Sequence, residues 1–353
     1  MRGLSRRKVI RSLAALGAAG SVDWRLSTVV ALILLMQVAC GLRAHAESIS
    51  FVRGTDRIDV TVGGRPYTTY YFSKDIAKPY LMPIRSAAGT VVTRNFPDGN
   101  GASSGDPRDP AFEPHQRPLY FGHGNINGLD FWQEEVFLKY YNDHGKQRFG
   151  RMVMREVEEV RPGPDSGLIR ARFDLLDSSG APIAAEVQSF TFRGDKETRT
   201  IDCDITLLAS YGPVTLGDTK EGTFALRLTG ELSGAKVKMI SSTGAEGEPR
   251  IWGKPADWVD YSGTVAGEPL GVAIFDHPSN FRHPTTWHAR AYGLFSVNPC
   301  GWRAFRNDPN ADGSWTIPEG KSLRLRYRVL IHHGLPASFN VAAAYARYLS
   351  KEP

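Results

Sequence analysis

One stretch of the chain, residues 276–301 (DHPSNFRHPTTWHARAYGLFSVNPCG), holds three of the nine histidines, His277, His283 and His288. Imidazole titrates near neutral pH and both donates and accepts protons, so these side chains suit general acid–base chemistry. Imidazole is also a common ligand of zinc, copper and iron. Three histidines within twelve residues favour a functional role for at least one of them.

Two further polar clusters lie earlier in the chain, at residues 114–132 (PHQRPLYFGHGNINGLDFW) and 217–222 (GDTKEG). We expect all three clusters to converge on one concave face. The candidate catalytic residues are His123, Lys220, Glu221, His277 and His288. The candidate substrate-binding residues are His115, Arg117, Asn127, Asp130, Trp132, Asp218, Asn280, His283, Trp287 and Arg290.

This mixture of side chains suits a sugar. Carboxylates, amides and guanidinium groups bond hydroxyls, and aromatic rings such as Trp132 and Trp287 stack on a sugar ring. Glu221 could take a proton while a histidine supplies one, as in an epimerase, lyase or glycoside hydrolase. An alternative interpretation makes Lys220 and Glu221 a surface ion pair. On a regular strand the two side chains would face opposite ways, so only one of them would reach a cleft unless the segment is a turn.

Two other functions stay open at this point. A sugar-binding module would need the stacking and hydrogen-bonding groups but no proton transfer. A metal-dependent enzyme would use the histidines as ligands, yet the sequence has no HxH or HExxH spacing. We therefore assign no metal ligand and leave the cofactor unknown, with a divalent metal as the open alternative.

Strands must position these clusters. Residues 57–62 and 65–72 flank Gly63 and Gly64, which is a hairpin signal. Long β-rich runs separated by turn residues follow, and we predict strands at 135–141, 148–160, 168–176, 183–193, 198–209, 223–228, 235–240, 258–261, 271–275 and 323–332. Because Pro278 and Pro284 interrupt ladder pairing, we interpret residues 276–301 as a shaped loop.

The predicted fold is all-β: a large antiparallel β-sandwich of the mutarotase-like supersandwich type, with one C-terminal helix. That helix is predicted over residues 338–349, with Ser338 as N-cap and an alanine run inside. Residues 98–110 are predicted to form a surface loop. The sequence predicts a single domain over residues 47–353.

Residues 1–46 are typical of an export signal, with an apolar run at 29–39 and a small-x-small pattern at 44–46. Ser5 to Arg11 also resembles a twin-arginine motif, so the export route stays open.

Without this leader, which holds seven basic residues and one acid, the mature chain has 36 basic and 36 acidic side chains. The balance gives no support for nucleic-acid binding, and no membrane span is expected after leader removal. We expect a periplasmic or extracellular protein with a small carbohydrate ligand.

Two cysteines remain in the mature chain, Cys203 and Cys300. An oxidising compartment would allow them to form a disulfide, and two buried free thiols are the equal alternative. The sequence leaves the oligomeric state open as well.

Several ordered motifs resemble the bacterial domain-of-unknown-function family labelled methane oxygenase PmoA (PmoA-like). They are residues 114–117, 122–124, 127–128, 130–132, 217–222, 258–263 and 277–299. Glu113 and Gln116 stand where the family pattern has histidines, and Pro118 where it has glycine. The resemblance implies an exported carbohydrate-pathway protein. Since a membrane methane monooxygenase subunit needs spanning helices, the predicted strands do not favour the activity in that label.

Overall fold

A computed structural model describes residues 46–94, 113, 115–135 and 148–350. The predicted export leader up to residue 45, the predicted loop at 98–110, Pro114 and most of the predicted strand 135–141 lie outside these residues. Within them, the chain forms two eight-stranded antiparallel sheets and one two-stranded ribbon. This architecture confirms the prediction of a large antiparallel β-sandwich.

The first sheet has the order β1-β2-β3-β4-β5-β11-β16-β15. Its strands are β1 (Ile49–Arg53), β2 (Arg57–Val62), β3 (Arg65–Tyr71), β4 (Tyr80–Met82), β5 (Leu119–Phe121), β11 (Phe224–Arg227), β15 (Trp287–Ala289) and β16 (Leu294–Val297). Gly63 and Gly64 join β2 to β3 with φ of 57° and 74°, the positive values that a two-residue hairpin needs. The predicted hairpin is therefore confirmed.

The second sheet has the order β12-β13-β14-β18-β9-β8-β7-β6. Its strands are β6 (Arg151–Arg161), β7 (Gly167–Leu176), β8 (Pro182–Gly194), β9 (Thr198–Leu208), β12 (Lys238–Ser241), β13 (Trp258–Val265), β14 (Glu268–Asp276) and β18 (Ser322–His333). β10 (Val214–Leu216) pairs with β17 (Trp315–Ile317) in the ribbon. Burial alternates strictly along β9, which is the period of a strand with one face in a core.

The two sheets share one hydrophobic core. Aromatic rings meet across it: Phe224 of the first sheet stacks on Tyr327 of the second at 4.5 Å between centroids, and Tyr70 meets Phe190 edge-on at 5.1 Å. Cys203 and Cys300 are both free and buried, so the free-thiol alternative is the one observed.

Residues 276–301 are not all loop, contrary to the prediction. They contain β15 and β16, which pair with each other, and β16 also pairs with β11. Pro278 and Pro284 lie before β15, so they do not interrupt its ladder. A three-residue strand is too short for the alternation of apolar and polar residues to reveal it.

The C-terminal helix begins later than predicted. Three α-helices occur in the described part of the chain: α1 (Glu248–Ile251), α2 (Trp302–Arg306) and α3 (Val341–Ser350). Asn340, not Ser338, accepts the Ala343 amide at 2.9 Å, while the Ser338 hydroxyl donates to the Leu335 carbonyl. An asparagine side chain is an equally good N-cap, and it fixes the helix start. No described helix is long and apolar enough to cross a membrane.

Candidate functional site

The outer face of the first sheet, the face turned away from the shared core, carries a row of four aligned residues. Tyr120 of β5 lies opposite Ala225 of β11, Ala225 opposite Ser296 of β16, and Ser296 opposite His288 of β15. The two middle side chains are small. Trp132 packs against Ala225, with its ring 5.1 Å from that of Tyr120 and stacked at 6.3 Å on that of His288.

The 217–222 loop lies beside His288. The Nδ1 atom of His288 is 2.9 Å from the Lys220 carbonyl oxygen and 3.9 Å from Oε2 of Glu221, whose Oε1 contacts the Lys220 ammonium. Ser296 and Asn298 donate to the carbonyls of Gly222 and Thr219 at 2.7 and 2.8 Å. β16, which contributes Ser296 to the row, and Asn298 just after it therefore also anchor the loop that brings in the carboxylate.

The hydrogen bond of His288 fixes its tautomer. A carbonyl oxygen only accepts, so Nδ1 donates to Lys220 and the lone pair of the neutral ring lies on Nε2. Burial lowers the pKa of His288 to about 4 against the opposing charge of Glu221. At neutral pH the ring is therefore uncharged and able to accept a proton.

Glu113, which had no predicted site role, belongs to the same electrostatic environment. Burial raises its pKa, and the charge of Glu221 raises it further. Its Oε2 atom is 3.3 Å from Nε2 of His115, a buried ring whose pKa burial lowers well below the ordinary value. A carboxyl group with a raised pKa near a second carboxyl group is the arrangement that acid–base pairs use.

A buried charged group lies next to Trp132. Glu134 accepts from Arg117 at 2.8 and 2.5 Å and from Lys78 at 2.8 Å, and Lys78 also donates to the Trp132 carbonyl at 2.6 Å. Burial would raise the pKa of Glu134, but Arg117 and Lys78 outweigh it and lower that pKa to about 2. Sequence reasoning found Arg117 and missed Lys78 and Glu134. A lone lysine just before an aromatic strand was the signal for Lys78.

Asp130 positions Trp132 through the backbone. Its Oδ1 atom accepts from the amides of Trp132 and Gln133, both at 2.8 Å. Burial raises the pKa of Asp130 to about 6 despite these bonds. Asp130, a predicted binding residue, thus stabilises the turn that carries the Trp132 side chain.

Arg227 and Tyr292 border the same face and were also missed. The Arg227 guanidinium lies 4.4 Å over the Tyr292 ring, and Gln116 donates to the Tyr292 hydroxyl at 3.4 Å. Arg290 lies 5.3 Å from the Tyr292 ring and pairs with Glu248 at 2.9 Å. The signal for Arg227 was a charged residue closing the apolar run Phe224 to Leu226.

Several buried polar atoms on this face have no hydrogen-bond partner in the described part of the chain. They are Oη of Tyr120, Nε1 of Trp132, Nη1 of Arg227 and Oε1 of Gln116. Buried polar groups in native proteins are nearly always bonded, and exceptions concentrate where a ligand or water completes them. Their grouping around the Tyr120–His288 row makes this face the candidate site.

Other predicted residues lie in a second group, around the buried Asp276 carboxylate. Asp276 accepts from Asn280 at 2.7 Å, from His283 Nδ1 at 2.9 Å, and from the amide and hydroxyl of Thr285 at 3.1 and 2.7 Å. The hydrogen bond to Asp276 raises the pKa of His283. We name this set the Asp276 network.

His277 adjoins the Asp276 network. Its Nδ1 atom lies 3.0 Å from the Ser279 amide, and its ring meets Tyr348 of α3 edge-on at 5.6 Å. Burial lowers its pKa to about 4. The three histidines of residues 276–301 are thus divided, because only His288 contacts the 217–222 loop among their described contacts.

Four more predicted residues hold the backbone. His123 is fully buried, with Nε2 2.8 Å from the Gly217 carbonyl and Nδ1 packed on Gly222, where an added Cβ would lie 2.2 Å away. Asp218 accepts from Gly313 at 2.6 Å, and Asn127 accepts from Thr215 at 2.7 Å. Trp287 lies in the shared core and donates to the Ala256 carbonyl at 2.9 Å, so it does not reach the outer face.

No group of three or more His, Cys, Asp or Glu side chains in the described ranges is arranged to hold a metal ion.

The chain was compared with protein families, curated proteins and solved structures. The model of a family of unknown function, DUF6807, matches residues 57–346. A comparison with curated proteins found no match. Among solved structures, the chain is similar to a galactose mutarotase-like protein from Clostridium acetobutylicum, at 11% identity and a TM-score of 0.35 over 81% of this chain and 99% of that one.

Two α-galactosidases also resemble the chain. The enzyme from Lactobacillus brevis has 9% identity and a TM-score of 0.36, over 81% of this chain and 39% of its own. A GH36 enzyme from Geobacillus stearothermophilus has 10% identity and a TM-score of 0.36, over 81% of this chain and 41% of its own.

Proposed function

We propose a function for this chain, which belongs to the family of unknown function DUF6807: it binds a carbohydrate on the outer face of the first sheet and moves a proton with Glu221 and His288. The observation that carries the proposal is the set of unpartnered buried polar atoms around Tyr120, Trp132 and Arg227. A hydroxyl-rich ligand satisfies both donors and acceptors of this kind.

The division of roles follows from the environments. His288 is neutral at neutral pH with its Nε2 lone pair free to accept, and Glu221 is a second acceptor beside it. Glu113, whose pKa burial and Glu221 raise, is the group best suited to donate a proton. Such a pair fits epimerisation, elimination or hydrolysis at a sugar carbon, and the aromatic ring of Trp132 supports the apolar side of the ligand.

The test uses Glu221→Gln and His288→Gln, which keep size while removing the proton-transfer groups. Wild-type protein is titrated calorimetrically with monosaccharides and methyl glycosides, and turnover is followed by NMR. We expect each variant to lose about 100-fold or more in turnover. The controls are Glu156→Gln and His333→Gln, whose side chains are 60% and 58% exposed.

Four outcomes decide between functions. Sugar binding with turnover that both variants lose supports the proposal. Binding without turnover in the wild type makes the protein a sugar-binding module. Absence of sugar binding overturns both, and stoichiometric metal in protein purified without added metal would favour the metal-dependent alternative.

The finer family label, PmoA-like, stays a prediction and supplies no part of this proposal. Export to the periplasm or beyond, cleavage near residue 46 and a single domain over residues 47–353 are also proposals. Fractionation of the producing cells, with N-terminal sequencing of the mature protein, tests them together.

A further inference from the structure

Arg227 is fixed in an unusual electrostatic position. It is the last residue of β11, on the same face as Ala225 two positions earlier, and its side chain is 7% exposed. Its amide donates to the Pro118 carbonyl at 2.8 Å, and its own carbonyl accepts from the Arg94 amide at 3.1 Å. The backbone thus holds this guanidinium against the outer face.

The charge of Arg227 is not neutralised within the described part of the chain. No carboxylate there lies within ion-pair distance, its one ring contact is with Tyr292, and Nη1 is buried without a hydrogen-bond partner. Burial and, next to it, the charge of Arg227 lower the pKa of Arg94 to about 9, so a second cation faces the same region. A buried unpaired charge is costly, and proteins keep one where a partner of opposite charge binds.

We propose that the carbohydrate bound on this face is a sugar acid, a uronate or aldonate, whose carboxylate pairs with Arg227. This inference rests on the proposed function and names its substrate class. The Gln116 Oε1 and Tyr120 Oη atoms, both buried and unpartnered, bond the neighbouring hydroxyls of the ligand.

The charges around Arg227 favour a monoanion over a phosphate ester. Glu113 is close enough for Arg227 to lower its pKa, and Glu221 is close enough to Glu113 to raise it. A phosphate would bring nearly two negative charges beside these two carboxyl groups. A carboxylate brings one, which a guanidinium matches with two parallel hydrogen bonds.

Matched ligand pairs test the inference in the full-length protein. Calorimetry compares D-glucuronate with D-glucose and D-galacturonate with D-galactose, and glucose 6-phosphate provides the phosphate arm. We expect one uronate to bind at least about tenfold more tightly than its neutral partner. Arg227→Gln should lower uronate affinity about 10- to 100-fold and lower neutral-sugar affinity clearly less, so that the preference for the acid is lost, with Arg227→Lys intermediate.

The controls separate the two proposals. Arg53→Gln, at an exposed arginine of β1, should change nothing. Equal affinity for acid and neutral sugars in the wild type overturns the sugar-acid inference and leaves the proposed function standing. A preference for glucose 6-phosphate also overturns it, and binding of no sugar at all overturns both. The ratio of uronate affinity to neutral-sugar affinity in the wild type decides the question by itself. The inference can therefore be tested even if the Arg227 variants fail to fold.

Discussion

Two regions of this molecule hold similar side chains and differ in how completely those side chains are bonded. The Asp276 network joins a buried carboxylate to His283, Asn280 and Thr285, and Asp276 accepts four hydrogen bonds. The outer face of the first sheet also joins carboxyl groups to a histidine, yet buried atoms of Tyr120 and Arg227 remain open. A dense polar sequence therefore marks either structure or function, and hydrogen-bond satisfaction separates the two.

The largest expected effect tests the structural side of this comparison. Asp276→Ala removes the acceptor of four hydrogen bonds and leaves the buried donors unpaired. We expect the free energy of unfolding to fall by about 3–5 kcal/mol in urea titrations. Asp165→Ala, at an exposed position, is the matched control and should stay within about 0.5 kcal/mol. A loss below about 1 kcal/mol for Asp276→Ala would contradict the structural role.

A smaller loss of stability is expected for the buried ion group beside Trp132, which is fully paired like the Asp276 network but adjoins the outer face. Lys78→Met removes one of the two cations on Glu134 but leaves the Arg117 pair intact. We expect unfolding free energy to fall by about 2–3 kcal/mol, less than for Asp276→Ala, since breaking a buried pair entirely costs about 3–5 kcal/mol. Lys196→Met, at an exposed lysine, serves as control. An unchanged Lys78→Met protein would show that this buried group supports neither Trp132 nor the fold.

The smallest expected effect is on the pH dependence of stability, which has opposite signs for His288 and His283. The folded-state pKa of His288 lies near 4, below about 6.5 in the unfolded chain, so its contribution to stability is present above pH ~6.5 and lost as pH falls through about 4. The pKa of His283 is raised, so its contribution is present below pH ~6.5 and lost as pH rises through the folded-state value.

Urea unfolding between pH 4.5 and pH 9 measures this difference. Relative to wild type, His288→Gln should lose less stability at pH 4.5 than at pH 9, and His283→Gln should lose more at pH 5 than at pH 9. His123 and His277, with pKa values lowered to about 4 by burial, titrate in both variants and form a common background. Parallel pH profiles for the two variants would remove the distinction between the regions.

The fold was largely predictable because its signals are local. Alternation along β9 and the Gly63–Gly64 turn depend on neighbouring residues, and both predictions agree with the structure. β15 escaped prediction because only three residues pair, and the prolines before it suggested a loop. Once that strand is known, alternation explains why Trp287 enters the core while His288 faces outward.

The candidate site was only partly predictable. Glu221 and His288 were identified from their motifs, but their contact joins positions far apart in the chain. Lys78 and Glu134 meet across 56 residues, and each is an ordinary charged residue in its local context. No periodicity reports such a pairing, because it depends on the way the sheets bring the loops together. Arg227 likewise becomes notable only when its burial is known.

The position of Trp132 gives the site its own optical reporter. Its indole lies between the Tyr120 ring and the His288 imidazole, against the face that we propose to bind ligand. A ligand that reaches its Nε1 atom, or a proton that reaches His288, changes the surroundings of that chromophore directly. The difference in intrinsic fluorescence between the wild type and Trp132→Phe therefore isolates one emitter among the seven tryptophans of the chain, without any attached label.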